Sequence, residues 1–268
     1  MPSPEQPEPR RASDEHVRHK LSKAYRYFIL ERGAAAAAKA LPSFEAILHV
    51  APGSPEAQFG KALCLAHLDR LDEALAFADR AFALGMIRSG RPAFTVEAVD
   101  PQGRVLLLDV GRSWALTVRA DILLSLERPV QALEQIEQAY ESGVSGEYAA
   151  DLDAIRAIAL AKLGRLEEAE QALAEAADWD GNASRVAEAR GRLRLAQGRA
   201  REAIDAFTAA IAAAPDDSEY FVLRASALIE AEKKADAKAD LETALRILNE
   251  ANGPPAEIED VRMRLGSL

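Results

Sequence analysis

Residues 157–176 read AIALAKLGRLEEAEQALAEA, residues 191–210 read GRLRLAQGRAREAIDAFTAA, and residues 225–244 read ASALIEAEKKADAKADLETA. In each segment a small residue occupies the first, thirteenth and twentieth places, and successive segments begin 34 residues apart. The same spacing recurs twice earlier in the chain, at Ala62, Ala74 and Ala81 and at Ala120, Ala132 and Ala139. Five matches in one frame, three of them contiguous, indicate an internal repeat.

A turn separates the first small residue of each segment from the second. Gly164 and Gly198 stand at two of these turns, and glycine is common just past a helix C-terminus. The next residue is basic in all five units: Arg70, Arg128, Arg165, Arg199 and Lys233. Acids usually follow it at the start of the next helix. Because bases at a helix end and acids at a helix start oppose the macrodipole, we interpret the row of bases as structural, not catalytic.

This frame resembles the tetratricopeptide repeat (TPR) family, whose 34-residue helix pairs carry small residues at the eighth, twentieth and twenty-seventh places. The resemblance covers roughly residues 20–251. It implies an all-α fold, a right-handed superhelix (α-solenoid) of about six helix pairs. We place the units at about 14–54, 55–88, 113–146, 150–183, 184–217 and 218–251. The family is a binding scaffold, so its fold alone does not define an activity.

The two ends of the chain fall outside these units. Residues 1–13 carry four prolines and no apolar run, which predicts a disordered tail. Residues 254–268 begin with two prolines and have one mixed face, which predicts a helix that caps the last repeat.

Residues 89–112 interrupt the repeat. Residues 94–99 (FTVEAV) and 105–110 (VLLLDV) are rich in β-formers and flank the turn sequence DPQG, which predicts a β-hairpin. An isolated hairpin is marginal in water, so this one must pack on the helices or on a partner. For a partner contact, the candidate residues are Phe94, Val96, Val105, Leu106, Leu107 and Leu108.

In the TPR family the first helix of each unit lines a concave groove that binds peptides or helices. The corresponding residues here are Phe59, Leu63, Trp114, Val118, Asp121, Leu124, Asp151, Ile155, Ile158, Lys162, Arg185, Glu188, Arg192, Leu195, Glu219, Val222, Leu223 and Ile229. So many apolar residues on a surface mark an interaction site, whereas a tight superhelix would bury them as core. The sequence leaves both interpretations open.

Composition excludes several classes of protein. The net charge of −10 argues against nucleic-acid binding, which depends on basic side chains. Apolar stretches are too short for a membrane span, and the single cysteine, Cys64, cannot form an intramolecular disulfide. No export signal is recognisable, so we expect a cytoplasmic protein.

The sequence offers no catalytic, cofactor-binding or metal-binding residues. It contains no phosphate loop, dinucleotide fingerprint or nucleophile motif. His16 and His19 lie three residues apart but lack a third ligand. Cys64 is expected to be a small buried hydrophobe.

We therefore predict a non-catalytic scaffold or adaptor that binds another protein, as a peptide or amphipathic helix, through its groove, its hairpin or both. One alternative is an accessory or regulatory subunit of an enzyme complex, with the hairpin as a docking arm. Another is a sensor that binds a small hydrophobic ligand or peptide. Self-association is a further expectation, because an unoccupied apolar groove often pairs with a second copy.

Overall fold

The computed structural model describes residues 9–30, 33–86, 94–141, 147–178 and 183–268, and these residues form thirteen helices and one two-stranded sheet. The first elements are α1 (Pro9–Leu30), α2 (Gly33–Val50), α3 (Pro55–His67), α4 (Leu71–Ala83), β1 (Phe94–Val99) and β2 (Val105–Val110). The remaining helices are α5 (Arg112–Ser125), α6 (Pro129–Glu141), α7 (Glu147–Lys162), α8 (Leu166–Asp178), α9 (Ala183–Ala196), α10 (Ala200–Ala213), α11 (Ser218–Glu230), α12 (Lys234–Glu250) and α13 (Pro255–Gly266).

The helices pack as a one-dimensional array. Each helix contacts the next along the chain, and the first helices of neighbouring pairs also meet, α3 with α5, α5 with α7 and α7 with α9. Twelve helices thus form six consecutive pairs, and α13 packs on α12. The all-α solenoid predicted from the sequence is confirmed, with its inserted hairpin and its C-terminal helix.

The repeated small residues lie where two helices cross. Ala169, Ala203 and Ala237 are fully buried, and so are their equivalents in the earlier units. Gly191 shows how close the approach is, because a Cβ built on it would overlap the ring of Phe207 in the facing helix. Gly60, two residues before the repeated Ala62, has the same relation to Phe44. Short side chains at these places are therefore required by the distance between the helices.

In the last five pairs, the turn contains one residue in the left-handed region, and the repeated base follows it. Gly164 has φ 73° and Gly198 has φ 70°. Arg165 donates its N–H to the carbonyl of Leu160 at 2.9 Å and precedes α8. Its guanidinium binds Glu168 at 2.5 Å, and equivalent pairs join Arg70 to Glu73 and Arg199 to Glu202.

The repeated base is therefore structural, as predicted, but its physical role differs from the one expected. It stands at the start of the second helix and not at the end of the first. There it neutralises the acid three residues further on, while that acid faces the positive end of the helix.

The N-terminal helix is longer than the sequence suggests. Helix α1 begins at Pro9, so residues 9–13, which we expected in the disordered tail, are helical. Proline is tolerated in the first turn of a helix, and arginine and alanine, which follow it, are good helix formers. Residues 1–8 of the expected tail lie outside the described residues.

The hairpin has the predicted strands and turn. Its strands pair antiparallel, with Phe94 opposite Val110 and Val99 opposite Val105. The carboxylate of Asp100 closes the turn by accepting the N–H groups of Gln102 at 2.9 Å and Arg104 at 2.8 Å. The hairpin lies against α1 and the start of α5, so it does pack on its own helices.

Candidate partner-binding site

The inner face of the solenoid is formed by the first helices of the pairs. They approach one another across successive pairs more closely than the second helices do. All eighteen groove residues expected from the family resemblance lie on these five helices, α3, α5, α7, α9 and α11. Their exposure determines which of them can meet a partner.

Five of the apolar groove residues are in the core. Phe59 and Ile155 are fully buried, and Leu63, Leu124 and Ile158 are at most 6% exposed. Phe59, Leu124, Ile155 and Ile158 belong to the two largest hydrophobic clusters. Of the two interpretations that the sequence left open, burial in the core describes these five residues. The tight packing leaves these five side chains at most 6% exposed, so an apolar groove does not extend to them.

The other apolar groove residues lie at the margin of the core. Trp114 is half-buried, with its ring 5.2 Å from that of Phe59 and 5.9 Å from that of Tyr25, in edge-to-face contacts. Val118, Leu195, Val222 and Leu223 are also half-buried and pack against the hydrophobic clusters. Ile229 is 39% exposed. Apart from Ile229, these residues leave only part of each side chain accessible.

Five charged groove residues form one continuous chain of ion pairs, which we call the charged ladder. Arg185 reaches Asp121 at 2.7 Å and Glu188 at 3.4 Å. Arg192 binds Glu188 at 2.8 Å and Glu219 at 2.6 Å. The ladder runs from α5 across α9 to α11, so it joins three repeats along the inner face.

Glu188 is the centre of the charged ladder. Its side chain is only 3% exposed and is shared by Arg185 and Arg192, each of which is about a quarter exposed. The outer members are more open, since the side chains of Asp121 and Glu219 are 35% and 57% exposed. A buried carboxylate needs such partners, because an unpaired buried charge is strongly unfavourable. The two ends of the ladder remain accessible to a ligand.

The inner face alters the ionisation of the groups that line it. The charges of Asp121 and Glu188 raise the pKa of Arg185 and keep it protonated. His67 lies near Asp121 and Arg185, with its ring stacked on Phe28.

The last two predicted groove residues, Lys162 and Asp151, are also charged. The ammonium of Lys162 binds Glu127 at 2.7 Å, at the turn of the neighbouring repeat. The charge of Asp151 contributes to the raised pKa of Arg185. Both residues extend the polar character of the inner face.

The hairpin divides its predicted contact residues between two faces. Val96 is fully buried, and Phe94, Leu106 and Leu108 are half-buried. Val105 and Leu107 are 59% and 65% exposed. The outward face of the hairpin therefore presents apolar side chains to solvent.

Sequence reasoning missed a second repeated base, at the seventh place of the units. Arg119 binds Asp79 at 2.7 Å, Arg156 binds Glu175 at 3.0 Å, and Arg224 binds Asp240 at 2.7 Å. Lys61 and Arg190 occupy the same place. The 34-residue spacing from Arg156 to Arg224 through Arg190 could have revealed this row, which joins first helices to second helices.

No metal or thiol chemistry emerges from the described side chains. Within the described ranges, no three His, Cys, Asp or Glu side chains are grouped so that they could hold a metal ion. Cys64 is fully buried, and burial raises the pKa of its thiol to about 12. The thiol is thus unreactive at neutral pH. None of the helices in the described ranges is both long and apolar enough to cross a bilayer.

The stacked helix pairs and the charged inner face define a helical-repeat scaffold. The family model of the tetratricopeptide repeat matches residues 30–86, 117–183 and 188–255, which is more than half of the chain. The protein belongs to the tetratricopeptide repeat family. Members of this family generally act as non-catalytic scaffolds for protein interactions.

Solved structures with the same fold come from bacteria and from humans. The thermophilic TPR protein TTC0263 of Thermus thermophilus is 22% identical, with a TM-score of 0.55 over 80% of this chain and 99% of that one. A tetratricopeptide repeat protein of Parabacteroides merdae is 15% identical, with a TM-score of 0.58 over 84% of this chain and 76% of that one.

Human IFIT1, solved as a dimer with m7Gppp-AAAA, is 16% identical, with a TM-score of 0.65 over 94% of this chain and 54% of that one. This chain thus spans about half of the human protein. At these identities the likeness extends to the fold alone. None of the curated proteins matches the sequence.

Proposed function

We propose that this protein is a non-catalytic scaffold that holds a segment of a partner protein against the charged ladder on its inner face. The observation that carries the proposal is the accessible lining of that face. With Phe59, Ile155 and Ile158 in the core, ionised side chains are what a partner meets there. The peptide or amphipathic helix expected from the sequence would therefore need charged side chains.

The charges of the ladder define the segment that fits. Its two most exposed members, Asp121 and Glu219, are acidic and lie at opposite ends, and Arg185 and Arg192 lie between them. A peptide or amphipathic helix with basic side chains at both ends and an acidic side chain in the middle would match this pattern. Such a segment would exchange ion pairs with the ladder, so its affinity should fall as the salt concentration rises.

The hairpin supports an alternative role as an accessory or regulatory subunit of an enzyme complex. Its exposed Val105 and Leu107 offer an apolar contact, whereas the charged ladder offers ion pairs. In that role the hairpin would be the docking arm.

Other ligands receive less support. Two clefts of about 340 and 350 Å³ lie between neighbouring helices. The first is lined mainly by charged and amide side chains and half of the residues that line the second are charged, which does not suit the small hydrophobic ligand of the sensor alternative. Acids outnumber bases in the charged ladder, which disfavours a phosphate-bearing ligand such as the one in the human neighbour. The cytoplasmic location stays a prediction.

Affinity capture from the native source, followed by mass spectrometry, tests the proposal. The bait carrying Arg192→Gln and Glu219→Gln removes both members of one ladder pair, and Glu188 keeps Arg185 as its partner. The matched control makes the same replacements, Arg246→Gln and Glu250→Gln, in an exposed pair on α12. We expect the wild type and the control to retain the same partner and the ladder variant to lose it.

Circular dichroism checks that both baits remain helical. If the folded ladder variant captures its partner as well as the wild type does, the inner face is not the binding site. If the capture is lost only with Leu107→Lys, the docking-arm alternative is favoured. A stoichiometric enzyme among the captured proteins would support the accessory-subunit role.

A further inference from the structure

The two outer edges of the hairpin differ in their contacts with the rest of the molecule. Arg26 of α1 donates from Nε to the carbonyl of Glu97 at 2.9 Å, so a charged side chain occupies the edge of β1. In the described part of the chain, the backbones of Val105 and Leu107 make no comparable bond outside the hairpin. Natural sheets usually protect their edges with charges, and here only the edge of β1 has that protection.

Hydrogen bonding alternates along the two paired strands, and this alternation determines which backbone N–H and C=O groups the open edge of β2 offers. The N–H of Asp100 donates to the carbonyl of Arg104 at 3.0 Å, so these two residues face each other across the hairpin. Counting along the strand in steps of two, Leu106 and Leu108 also direct their backbone groups towards β1. Val105, Leu107 and Asp109 direct theirs outwards. The bond from Arg26 to Glu97, on the corresponding outward place of β1, agrees with this count.

The open edge is short. The carbonyl of Asp109 already accepts the N–H of Gly111 at 3.0 Å. Val105 and Leu107 therefore retain the complete pairs of donor and acceptor at this edge. Their side chains, together with that of Val99 opposite Val105, form an apolar patch on the outward face, and all three are more than half exposed.

We infer that the edge of β2 pairs antiparallel with the same edge of a second copy of this chain. A two-fold axis through Leu106 places Val105 of each copy opposite Leu107 of the other. The outward N–H and C=O groups of Val105 and Leu107, four in each copy, then pair with the same four groups of the other copy. The result is a four-stranded sheet in which two-stranded hairpins, marginal by themselves, support each other.

The side chains also favour a second copy as the occupant. In this register Val105 of each copy lies opposite Leu107 of the other copy, so apolar side chains contact one another on the outward face of the sheet. Leu106 of one copy lies opposite Leu106 of the other on the inner face of the sheet. An axis through Leu107 would instead place Asp109 opposite Val105, and it would require the carbonyl that Gly111 already occupies.

Sedimentation velocity over about 1–500 µM protein tests the inference. About five residues of each copy pair, so the interface is small and we expect a Kd on the order of 1–100 µM. The wild type should change from the chain mass of 28.9 kDa towards twice that mass. Leu107→Lys should weaken the association by about tenfold or more, because it places a charge in the apolar pair. Met263→Lys, at a side chain 62% exposed on α13, is the matched control and should behave as the wild type.

Oxidative cross-linking tests the register. Facing residues of a non-hydrogen-bonded antiparallel pair have Cα atoms about 4.5 Å apart, within the reach of a disulfide. Leu106→Cys should therefore yield a covalent dimer. Leu108→Cys should not, because the two copies of residue 108 would lie on the order of 13 Å apart. Cys64 can remain in both variants, since it is fully buried.

The outcomes separate this dimer from the groove proposal. The dimer does not involve the charged ladder, so the ladder variant Arg192→Gln with Glu219→Gln should associate normally. A wild type that stays monomeric up to 500 µM would overturn the dimer and leave the edge of β2 to a strand from another protein. A cross-link with Leu107→Cys in place of Leu106→Cys would overturn the register.

Discussion

Gly191 offers the sharpest test of how the repeat packs. It lies in α9, opposite the ring of Phe207 in α10, which is fully buried. A methyl group at Gly191 would come to 2.6 Å from Cζ and 2.7 Å from Cδ1 of that ring, well inside van der Waals contact. The Gly191→Ala variant must therefore separate α9 from α10 or force the ring out of its rotamer.

Two opposing effects determine the size of the change. Overpacking a tight core by one methyl group typically costs about 1–3 kcal/mol. Replacing glycine by alanine inside a helix gains about 1 kcal/mol. The overlap with several ring atoms places the cost in the upper part of its range, so we expect a net loss of about 1–2 kcal/mol in the free energy of unfolding. For a chain of this size, that corresponds to a fall in Tm of about 2–8 °C.

Urea unfolding followed by far-ultraviolet circular dichroism measures this change. Gly266→Ala is the matched control, because a Cβ there meets no atom within 4 Å and the substitution should not destabilise the fold. In a chain that already carries Phe207→Leu, the ring is gone and Gly191→Ala should no longer be unfavourable. A loss of the same size with and without Phe207 would show that the ring is not the cause. An unchanged Gly191→Ala would refute the close crossing.

Three further predictions concern charge and the C-terminal helix. Burial and the charges of Asp69 and Asp217 raise the pKa of Glu257 to about 7. The raised pKa means that the folded state binds the proton of Glu257 more tightly than the unfolded state does. The stability that this proton contributes is therefore fully present below about pH 4.5 and is lost as the pH rises through 7. Glu257→Gln should accordingly melt at a higher temperature than the wild type at pH 8.5 and at the same temperature at pH 4.5, and equal differences at both values would contradict this. Glu188→Gln removes the buried carboxylate between Arg185 and Arg192, and we expect a loss of about 1–3 kcal/mol, less than for a fully buried pair because both arginines are partly hydrated. Glu259→Gln, in an exposed pair on α13, should leave the urea midpoint unchanged, and a midpoint equally unaffected by Glu188→Gln would exclude a structural role for the ladder. Finally, Val261 and Leu248 are buried between α12 and α13, so ending the chain after Asn252 should lower the Tm and increase binding of a hydrophobic dye. Met263→Ala should change neither property, since that side chain faces solvent, and a truncated chain that melts like the wild type would contradict the capping role.

The fold was predictable because its determinants are local and repeated. Ala169, Ala203 and Ala237 mark helix crossings by volume alone, and volume can be read from residue type. The hairpin was predictable for a similar reason, since Pro101 and Gly103 specify a turn between two β-rich segments. In each case, residues near one another in sequence also determine the geometry.

Which groove residues are accessible could not be predicted in the same way. Family positions indicate that Ile155 and Asp121 lie on inner faces, but not how closely those faces approach. The ion pair between Arg185 and Asp121 joins residues 64 places apart, across an intervening repeat. Its existence depends on the curvature accumulated over several helix crossings, and no short segment of sequence carries that information.

The composition of α7 offers a physical explanation for that ion pair. This helix lies between α5 and α9, and six of its sixteen residues are alanine, all of them buried. A helix with so many short side chains is thin, so its two neighbours can approach each other across it. Arg185 can then reach Asp121 over the edge of α7, while the larger Ile155 and Ile158 are enclosed beneath. The alanines thus have two effects: they bury the apolar part of the inner face, and they bring its charged residues into contact. The chemistry that the inner face offers to a partner therefore follows from the volumes of residues that never touch that partner.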